Sequence, residues 1–508
     1  MTSPQDVANR VPITIAIMLA TVMNSLDTTI ANVALPHIQG SVSASQDQIT
    51  WVLTSYIVAA AIMTPMSGWL ADRVGRKRLY LISIAGFTIA SMLCGVADSL
   101  VEIVGFRLLQ GLFGAALIPI AQAILLDINP PEKHGQAMAI WGAGAILGPI
   151  LGPAIGGWLT EQASWRWVFF INLPIGILAF AGVFLFISRD GGARAKPFDF
   201  LGYASLVGFI GGLQLMLDRG PGEDWFASPE IWTYLLVTIG SLWVFVVHTL
   251  TAAHPFFDRA LARDRNFVTA SIFGFFIGIL LFSTMALLPP MMQGLMGYPV
   301  LTSGLVSMPR GLGSFIAMFA VGQLVGRVDT RLILLTGLSI SCVSLWQMMH
   351  FDLAMTSVPF MISGFIQGLG VGLLFVPLST LAFATVPAHL RPEGSSLYTL
   401  IRSMGSAVGI SIMQALVVSN SQAMHASLAA RVIPADPVVQ ADLARRFDLT
   451  SVLGLSGLNG EINRQAAMVA YIDDFKLMLL ITLACMPMLL LMRKPKVQPG
   501  RPTAIEVD

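Results

Sequence analysis

The chain has 508 residues, of which 55% are hydrophobic and only 11% are charged, and its mean hydropathy is +0.75. This composition excludes an ordinary soluble globular protein and is typical of a chain that crosses a membrane many times. The formal net charge of +1 gives no reason to expect a nucleic acid as a partner.

Apolar runs long enough to cross a bilayer recur from one end of the chain to the other and predict fourteen helical spans. The first run is too long, and too polar at its centre, for a cleaved signal peptide. Lys and Arg cluster at the even-numbered connections and the C-terminal tail, so the positive-inside rule predicts that both termini are cytoplasmic. The predicted spans are 12–36, 49–71, 79–97, 101–126, 136–159, 166–188, 200–217, 230–250, 267–291, 302–325, 332–350, 357–385, 394–418 and 472–492.

Span 1 contains an aspartate in the middle of an apolar helix. A central Asp costs roughly 2.5 to 3.5 kcal/mol to insert, so Asp27 should face protein or a wet cavity. Asn24, Thr28 and Asn32 fall on the same helical face and predict a polar stripe along a substrate cavity. Removal from water favours the neutral form of a carboxyl, and a nearby cation favours the charged form. Asp27 is therefore the candidate proton carrier.

The connection after span 2 reads GWLADRVGRKRL and combines glycines with many charges. Gly68 and Gly75 allow tight passage of the backbone. Asp72, Arg73 and Arg76 supply charges that are sufficient, by themselves, to fix the topology.

Span 4 carries Arg107 and Gln110 on one helical face, which can point into the same cavity as the stripe of span 1, so Gln110 is a further candidate residue of the substrate cavity. Counted from the outer ends of their spans, Arg107 lies roughly 10 Å deep and Asp27 roughly 13 Å deep, at about 1.5 Å per residue. The two side chains can share a depth, so Arg107 is the candidate counter-ion of Asp27. The alternative is a static ion pair that only packs two helices together.

Span 5 has a glycine at every fourth position. In lipid, a stripe of small residues lets two helices approach closely, and prolines bend a helix. The spacing alone predicts close packing and no more. The residues concerned are Gly144, Gly148, Gly152 and Gly156, with Pro149 and Pro153 between them.

The second half of the chain echoes the first. GFRLLQGLFGAALIPIAQAI in span 4 and GFIQGLGVGLLFVPLSTL in span 12 both place Gln-Gly before a proline. This match requires an offset of eight spans, which leaves spans 7 and 8 as an insert between two six-helix bundles. The predicted units are 1–188, the first bundle; 189–266, linkers and inserted helices; 267–492, the second bundle; and 493–508, the tail.

Two further arginines lie in apolar spans without an acidic residue in the same helix. Arg310 in span 10 and Arg402 in span 13 either line the cavity and favour anionic or amphiphilic cargo, or donate to backbone carbonyls at a kink. The segment 419–471 is long for a connection, and its Ala-rich stretches predict partly helical structure, with a poorly ordered loop as the alternative.

Several classes of function lack their motifs. The phosphate-binding pattern G-x-x-x-x-G-K-[ST] does not occur, and no cluster of His, Cys and carboxylates suggests a metal site. We therefore expect a chain without catalytic residues, cofactor or metal. The 26 Met and 29 Phe suit an adaptable apolar cavity, although ordinary packing explains any single one of them.

Taken together, GWLADRVGRKRL, GFRLLQG, LDTTIANVALP and GAGAILGPILGPAIGG resemble the signature set of the major facilitator superfamily, in its fourteen-helix drug:proton antiporter branch. Within it, SWRWVFFINLP, LDRGPGEDWFASPE and the long segment before span 14 are similar to the EmrB type of multidrug exporter. The resemblance implies an all-α membrane protein that exports hydrophobic or amphiphilic toxic compounds in exchange for protons across a bacterial inner membrane. The alternative is a transporter for a metabolite or fatty-acid-like compound, by symport or facilitated diffusion.

The resemblance also implies roles for individual residues. Arg107 takes part in proton coupling, and the glycines of span 5 form an antiporter motif where the two bundles meet. GWLADRVGRKRL is a cytoplasmic latch, with Asp72 near a helix N-terminus of the other half and Arg76 paired with Asp127. The implied partners are a periplasmic adaptor of EmrA type and an outer-membrane channel of TolC type.

Overall fold

The computed structural model describes residues 10–44, 46–49, 51–187, 197–325, 327–432 and 451–491. The predicted tail 493–508 lies outside the described residues, as do most of the linker after span 6 and the middle of the segment 419–471. The described residues are nearly all helical and contain no β-sheet, so the prediction of an all-α membrane protein is confirmed.

The first six predicted spans form the N-terminal bundle. Span 2 is broken at Pro65, where its two pieces meet at 58°, because proline has no N–H to donate to the preceding turn. Span 4 is interrupted at Ala115 and Ala116. The helices are α1 Arg10–Ser41, α2 Gln46–Ile49, α3 Trp51–Met63, α4 Met66–Val74, α5 Arg76–Val96, α6 Leu100–Gly114, α7 Leu117–Ile128, α8 His134–Gln162, α9 Trp167–Phe170 and α10 Asn172–Phe186.

The inserted helices are α11 Phe200–Arg219 and α12 Pro229–Thr251. They pack against each other, and α11 also contacts α3 of the first bundle and the long helix that begins at Arg391 in the second. Large apolar side chains of α12, including Leu236 and Trp243, are exposed, which suits a helix that faces lipid.

The remaining helices form the C-terminal bundle. A short helix, α13, precedes them on the connection from α12, and the first long helix continues into a π-helical turn, Met291–Leu295. The helices are α13 Arg259–Arg263, α14 Arg265–Pro290, α15 Val300–Leu324, α16 Thr330–Met348, α17 Val358–Ala384, α18 Arg391–Arg431 and α19 Val452–Cys485, which is followed by a 3₁₀ turn, Met486–Leu491.

The described residues contain twelve or thirteen helices suited to crossing a membrane, against the fourteen predicted spans. Twelve helices of the described residues are long and apolar enough to cross a membrane, and the bent pair α3 and α4 makes a thirteenth. The remaining predicted span, 472–492, falls on α19, whose apolar part begins with Asp473, Asp474 and Lys476 and is therefore less apolar than the others. This helix packs against α16 and α18 as part of the C-terminal bundle.

Helices α18 and α19 are longer than a bilayer requires. Their 41 and 34 residues extend for about 60 and 50 Å, against a hydrocarbon thickness of about 30 Å. They pack side by side, and the His425 ring lies 2.9 Å (Nε2) from Asn459 Oδ1. The described parts of the segment 419–471 are thus helical, and we call this pair of helix ends the projecting hairpin.

One end of the molecule collects basic side chains. Arg76 and Arg391 converge there on Asp127, and Lys77 Nζ donates to the carbonyl of Phe184, 2.8 Å away, near the end of α10. We call this end the basic face. The projecting hairpin leaves the bundle at the opposite face, because α18 begins at Arg391.

Candidate functional site

The centre of the candidate site is an ion pair inside the N-terminal bundle. Arg107 Nη1 of α6 lies 2.6 Å from Asp27 Oδ2 of α1, and each residue is only 1% exposed. The sequence-based prediction that the two side chains share a depth is therefore confirmed as geometry. A charge pair so removed from water is retained only where further hydrogen bonds support it.

Two amides supply those further hydrogen bonds. Gln110 Nε2 donates to Asp27 Oδ1 at 2.7 Å, and Asn172 Nδ2 of α10 donates to the same oxygen at 2.8 Å. Arg107 Nη1 also donates to Gln110 Oε1 at 2.7 Å, which ties the donors to one another. Three side chains therefore donate to one carboxylate, an arrangement that stabilises its charged form.

Sequence reasoning missed Asn172 as a member of this cluster. It lies in SWRWVFFINLP, near the start of α10, and also donates to Ser91 Oγ at 2.9 Å. The sequence does carry a signal for Asn172, namely a side-chain amide near the end of a long apolar run. A polar group in such a run is retained where it finds a hydrogen-bond partner.

The guanidinium of Arg107 is fixed by its surroundings. Arg107 Nε donates to the Val52 carbonyl at 3.1 Å, and its Cζ lies 4.4 Å from the ring centroid of Tyr56. Tyr56 in turn accepts a hydrogen bond from Asn24 Nδ2 at 3.0 Å. These contacts hold the planar fork in one orientation, so a lysine is not equivalent at this position.

The predicted polar stripe of α1 divides into two parts. Asn24 and Asp27 are buried in the bundle, whereas Thr28 and Asn32 are exposed on the helix surface. Thr28 Oγ1 donates to the Ser25 carbonyl of its own helix. The structure therefore brings Asn24 near the Asp27 cluster and leaves Thr28 and Asn32 outside it.

The glycine stripe of α8 packs against α1, the helix that carries Asp27. A Cβ atom built on Gly148 would lie 2.5 Å from the backbone carbonyl carbon of Ser25, and one on Gly152 would lie 2.7 Å from Thr29 Cβ. Gly144 and Gly156 face α1 in the same way. The stripe thus sets the position of α1 relative to α8 at the level of Asp27.

The opposite side of α8 meets the C-terminal bundle. Pro153 and Ile150 lie against Gly304 and Gly311 of α15, respectively. Helix α8 therefore lies where the two halves meet, as the resemblance implies, but the close approach on that side depends on the glycines of α15.

At the basic face, one carboxylate joins the two halves. Asp127 at the end of α7 pairs with Arg76, as the resemblance implies, and also with Arg391 of α18, whose Nη1 lies 3.2 Å from Asp127 Oδ1. Ser395 Oγ donates across the same boundary to the Pro119 carbonyl at 3.0 Å. These contacts close the basic face between the bundles.

The GWLADRVGRKRL motif contributes to this closure, and it lies in α4, Gly75 and the first turn of α5 rather than in an extended connection. A Cβ on Gly68 would lie 2.9 Å from Glu393 Cα in the first turn of α18, and Gly75 has φ = 92°, which favours glycine. Asp72 lines a cavity of about 470 Å³ with Glu393, and the Arg73 guanidinium stacks on the Trp69 ring.

The two halves share a polar pattern at the offset of eight spans. Gln110 donates to Asp27 of α1, and Gln367 of α17 donates to Thr284 of α14 at 3.2 Å. Gly111 lies against the Tyr56 carbonyl oxygen, and Gly368 lies in the same way against that of Arg310. The offset of eight spans therefore places a neutral hydroxyl in the C-terminal half where the N-terminal half has a carboxylate.

The two arginines of the C-terminal half differ in their contacts. Arg310 is buried, and its Nη2 donates to the Leu281 carbonyl at 2.9 Å and to Thr284 Oγ1 at 2.8 Å, which favours the backbone-carbonyl alternative. Arg402 is half-buried, with its Cζ 5.1 Å from the Phe375 ring centroid. Neither forms an ion pair with a carboxylate of the described residues.

Comparisons with known proteins agree with this geometry. The model of the Major Facilitator Superfamily matches residues 17–410. The multidrug export protein EmrB of Haemophilus influenzae is 36% identical over 430 residues, 84% of each chain, and the fatty acid resistance protein FarB of Neisseria gonorrhoeae is 35% identical over 426 residues, 83% of each chain. The human organic anion transporter MFSD10 shares the fold at a TM-score of 0.60 and 13% identity, over 93% of this chain and 99% of that one.

Proposed function

This chain belongs to the major facilitator superfamily, a membrane transporter family, and from that premise we propose that it is a proton-coupled exporter. Its cargo would be hydrophobic and amphiphilic toxic compounds, exchanged for protons across a bacterial inner membrane with the basic face in the cytoplasm. The observation that carries this proposal is the buried Asp27–Arg107 pair with its amide donors.

The coupling step is protonation of Asp27. In the closed cluster Asp27 accepts hydrogen bonds from Arg107, Gln110 and Asn172, which belong to α6 and α10. Protonation neutralises the carboxylate, so it weakens all three bonds at once, because hydrogen bonds to a charged acceptor are roughly twice as strong as those to a neutral one. The helices that carry the donors are then released from α1.

The second part of the cycle is the basic face. The pairs of Asp127 with Arg76 and Arg391 hold it closed, so the state described here is shut toward the proposed cytoplasmic side. Entry of cargo from that side requires these contacts to separate. Proton binding at Asp27 and opening at Asp127 are two events on the same N-terminal bundle, one inside it and one at its edge.

The cargo class is supported by Arg402. Its guanidinium is stacked on Phe375 and forms no ion pair with the described residues, so an anionic headgroup can bind it while an apolar tail contacts the ring. Two relatives are named for multidrug export and for fatty acid resistance. Amphiphilic anions are accordingly part of the proposed cargo. The names of these relatives favour export over the alternative, a transporter for a metabolite or fatty-acid-like compound by symport or facilitated diffusion.

The projecting hairpin is the proposed docking point for a periplasmic adaptor of EmrA type, which would connect to an outer-membrane channel of TolC type. It extends well beyond the bilayer thickness and exposes apolar side chains at its far end, including Val452 and Leu453. Deleting it should abolish export from intact cells and leave substrate-induced proton release by the purified protein unchanged. Equal loss of both activities would contradict a docking role.

The test of coupling uses purified protein in detergent and weak buffer. A hydrophobic compound should displace the proton from the molecules in which Asp27 is protonated, and so acidify the solution, for the native protein and not for Asp27→Asn. Asp98→Asn is the matched control, because Asp98 also pairs with an arginine, Arg166, but its side chain is 85% exposed. The same acidification by native protein and Asp27→Asn would remove Asp27 from the mechanism.

A further inference from the structure

A second buried carboxyl lies in the C-terminal bundle and has no part in the mechanism above. Asp474 of α19 is only 1% exposed, and neither of its carboxylate oxygens has a hydrogen-bond partner among the described residues. Asp27, buried to the same extent, is surrounded by donors. The two carboxyls therefore lie in opposite electrostatic environments.

The surroundings of α19 at this level are apolar and rich in methionine. A buried cluster joins side chains of α19 to those of α14, α16, α18 and the π-helical turn. An ionised carboxylate without partners in such an environment costs several kcal/mol, whereas a neutral carboxylic acid costs far less. The members of the cluster include Met291, Met292, Met348, Met413, Met468, Phe475 and Met478.

Among the residues that the structure describes, no counter-ion faces Asp474 from the helices packed against α19. Helices α14 and α16 carry their charged residues only at the basic face, and the π-helical turn has none. On α18, Arg402 stacks on Phe375, while Arg391, Glu393, His425 and Arg431 lie toward its two ends. The nearest ionisable groups are on α19 itself, where half-buried Asp473 has the same charge and Tyr471 is one turn away. Lys476, two residues after Asp474, is exposed and forms no ion pair with it. Tyr298, after the π-helical turn, packs against the same cluster, and His350, after α16, is exposed and bonded to the Trp346 carbonyl.

The position of Asp474 along the membrane normal favours exchange with one side. From Asp474 to the end of the 3₁₀ turn at Leu491 the chain extends for roughly 26 Å, close to the whole hydrocarbon thickness of about 30 Å. Asp474 therefore lies within about one helical turn of the opposite face. Under the proposed function this is the side from which protons enter.

The repeat supports the same interpretation. Span 14 corresponds to span 6 at the offset of eight, and α10 places the amide of Asn172 near the corresponding end of its span. A neutral carboxylic acid has the shape of an amide and can also lose a proton. The C-terminal half thus has a titratable group in the region where the N-terminal half has a fixed one.

We propose that Asp474 is a second proton-binding residue of the transport cycle, protonated in the buried state described here and exchanging its proton with the opposite face when the end of α19 becomes hydrated. The step is the loss and gain of one proton by one carboxyl, with no other bond changed. This inference rests on the proposed function for its role in transport, and on geometry alone for the protonated state.

Infrared difference spectroscopy of the purified full chain tests the protonated state directly. Between alkaline and neutral buffer, the native protein should show a C=O stretch of a protonated carboxyl that is absent in Asp474→Asn and shifted in Asp474→Glu. Proton uptake over the same pH change should fall by one proton per molecule in Asp474→Asn. Asp473→Asn, at the half-buried neighbouring position, should match the native protein in both measurements.

Substrate-induced proton release, measured on the same variants, tests the role in transport. Release should fall in Asp474→Asn and recover in Asp474→Glu, with elution in size-exclusion chromatography confirming that both variants are folded. An unchanged infrared band, or full proton release by folded Asp474→Asn, overturns the proposal. If the native protein binds compound without releasing protons, the proposed function fails, while an infrared band that disappears in Asp474→Asn still supports proton binding at Asp474.

Discussion

The glycine stripe of α8 leads to a graded prediction, and Gly148 is its most sensitive position. In Gly148→Ala, the new Cβ would lie 2.5 Å from the Ser25 carbonyl carbon and 2.6 Å from the Leu26 backbone nitrogen. Backbone atoms cannot rotate away, so α1 must move by about 1 Å to reach an ordinary contact distance. Overpacking of this kind typically costs about 1 to 3 kcal/mol.

The displacement occurs within two residues of Asp27. The Asp27–Arg107 bond of 2.6 Å has little tolerance, because hydrogen bonds weaken steeply beyond about 3.2 Å. We therefore expect Gly148→Ala to lower both the thermal midpoint of the purified protein and its substrate-induced proton release. Gly156→Ala should have a smaller effect, because its Cβ would lie 3.1 Å from Ile30 Cγ2 and 3.4 Å from Ile30 Cα, and the second of these is an ordinary contact distance.

The same helix offers a matched control. Gly157 follows directly in the sequence, and a Cβ there would have nothing within 4 Å, so Gly157→Ala should leave both measurements unchanged. Thermal melting followed by tryptophan fluorescence, together with the proton-release assay, measures the series. Equal behaviour of Gly148→Ala and Gly157→Ala would refute the argument that this close approach positions Asp27.

Three further predictions concern the charged groups. Arg107→Lys should lose most substrate-induced proton release. One ammonium cannot donate to the Val52 carbonyl, as Arg107 Nε does, while it also bonds Asp27 and Gln110, as Arg107 Nη1 does. Retention of native release would contradict this, and Arg166→Lys, at an exposed pair, is the control. Asp127→Asn should favour opening of the basic face. Ser395→Cys places a thiol at a buried position of that face, and this thiol should react faster with a membrane-permeant maleimide when Asp127→Asn is also present. An unchanged rate would argue against a latch. Arg402→Gln should reduce transport of an anionic amphiphile by about tenfold, the equivalent of about 1.4 kcal/mol. Transport of a neutral analogue should be unaffected, and an equal loss for both compounds would remove the anion-binding role of Arg402.

The location of the spans could be predicted from the sequence because the length of an apolar run is a local property. The depth of Asp27 and Arg107 followed from counting residues along two helices, which is also local. The partners Asn172 and Arg391 could not be found in this way, since they lie 145 residues from Asp27 and 264 residues from Asp127, respectively. The helix that the glycine stripe contacts could not be predicted either. Spacing along the sequence shows which residues share a helical face, but not which helix packs against that face.

The closed Asp27–Arg107 pair has a consequence for how the transporter responds to the membrane potential. In the closed cluster the two charges cancel, so the bundle can move them through the electric field without electrical work. Protonation of Asp27 leaves the charge of Arg107 uncompensated. The electrical free energy of each such charge changes by about 2.3 kcal/mol per 100 mV when it is carried across the whole field. Under the proposed mechanism, the proton-loaded step is therefore voltage-sensitive and the unprotonated step is not.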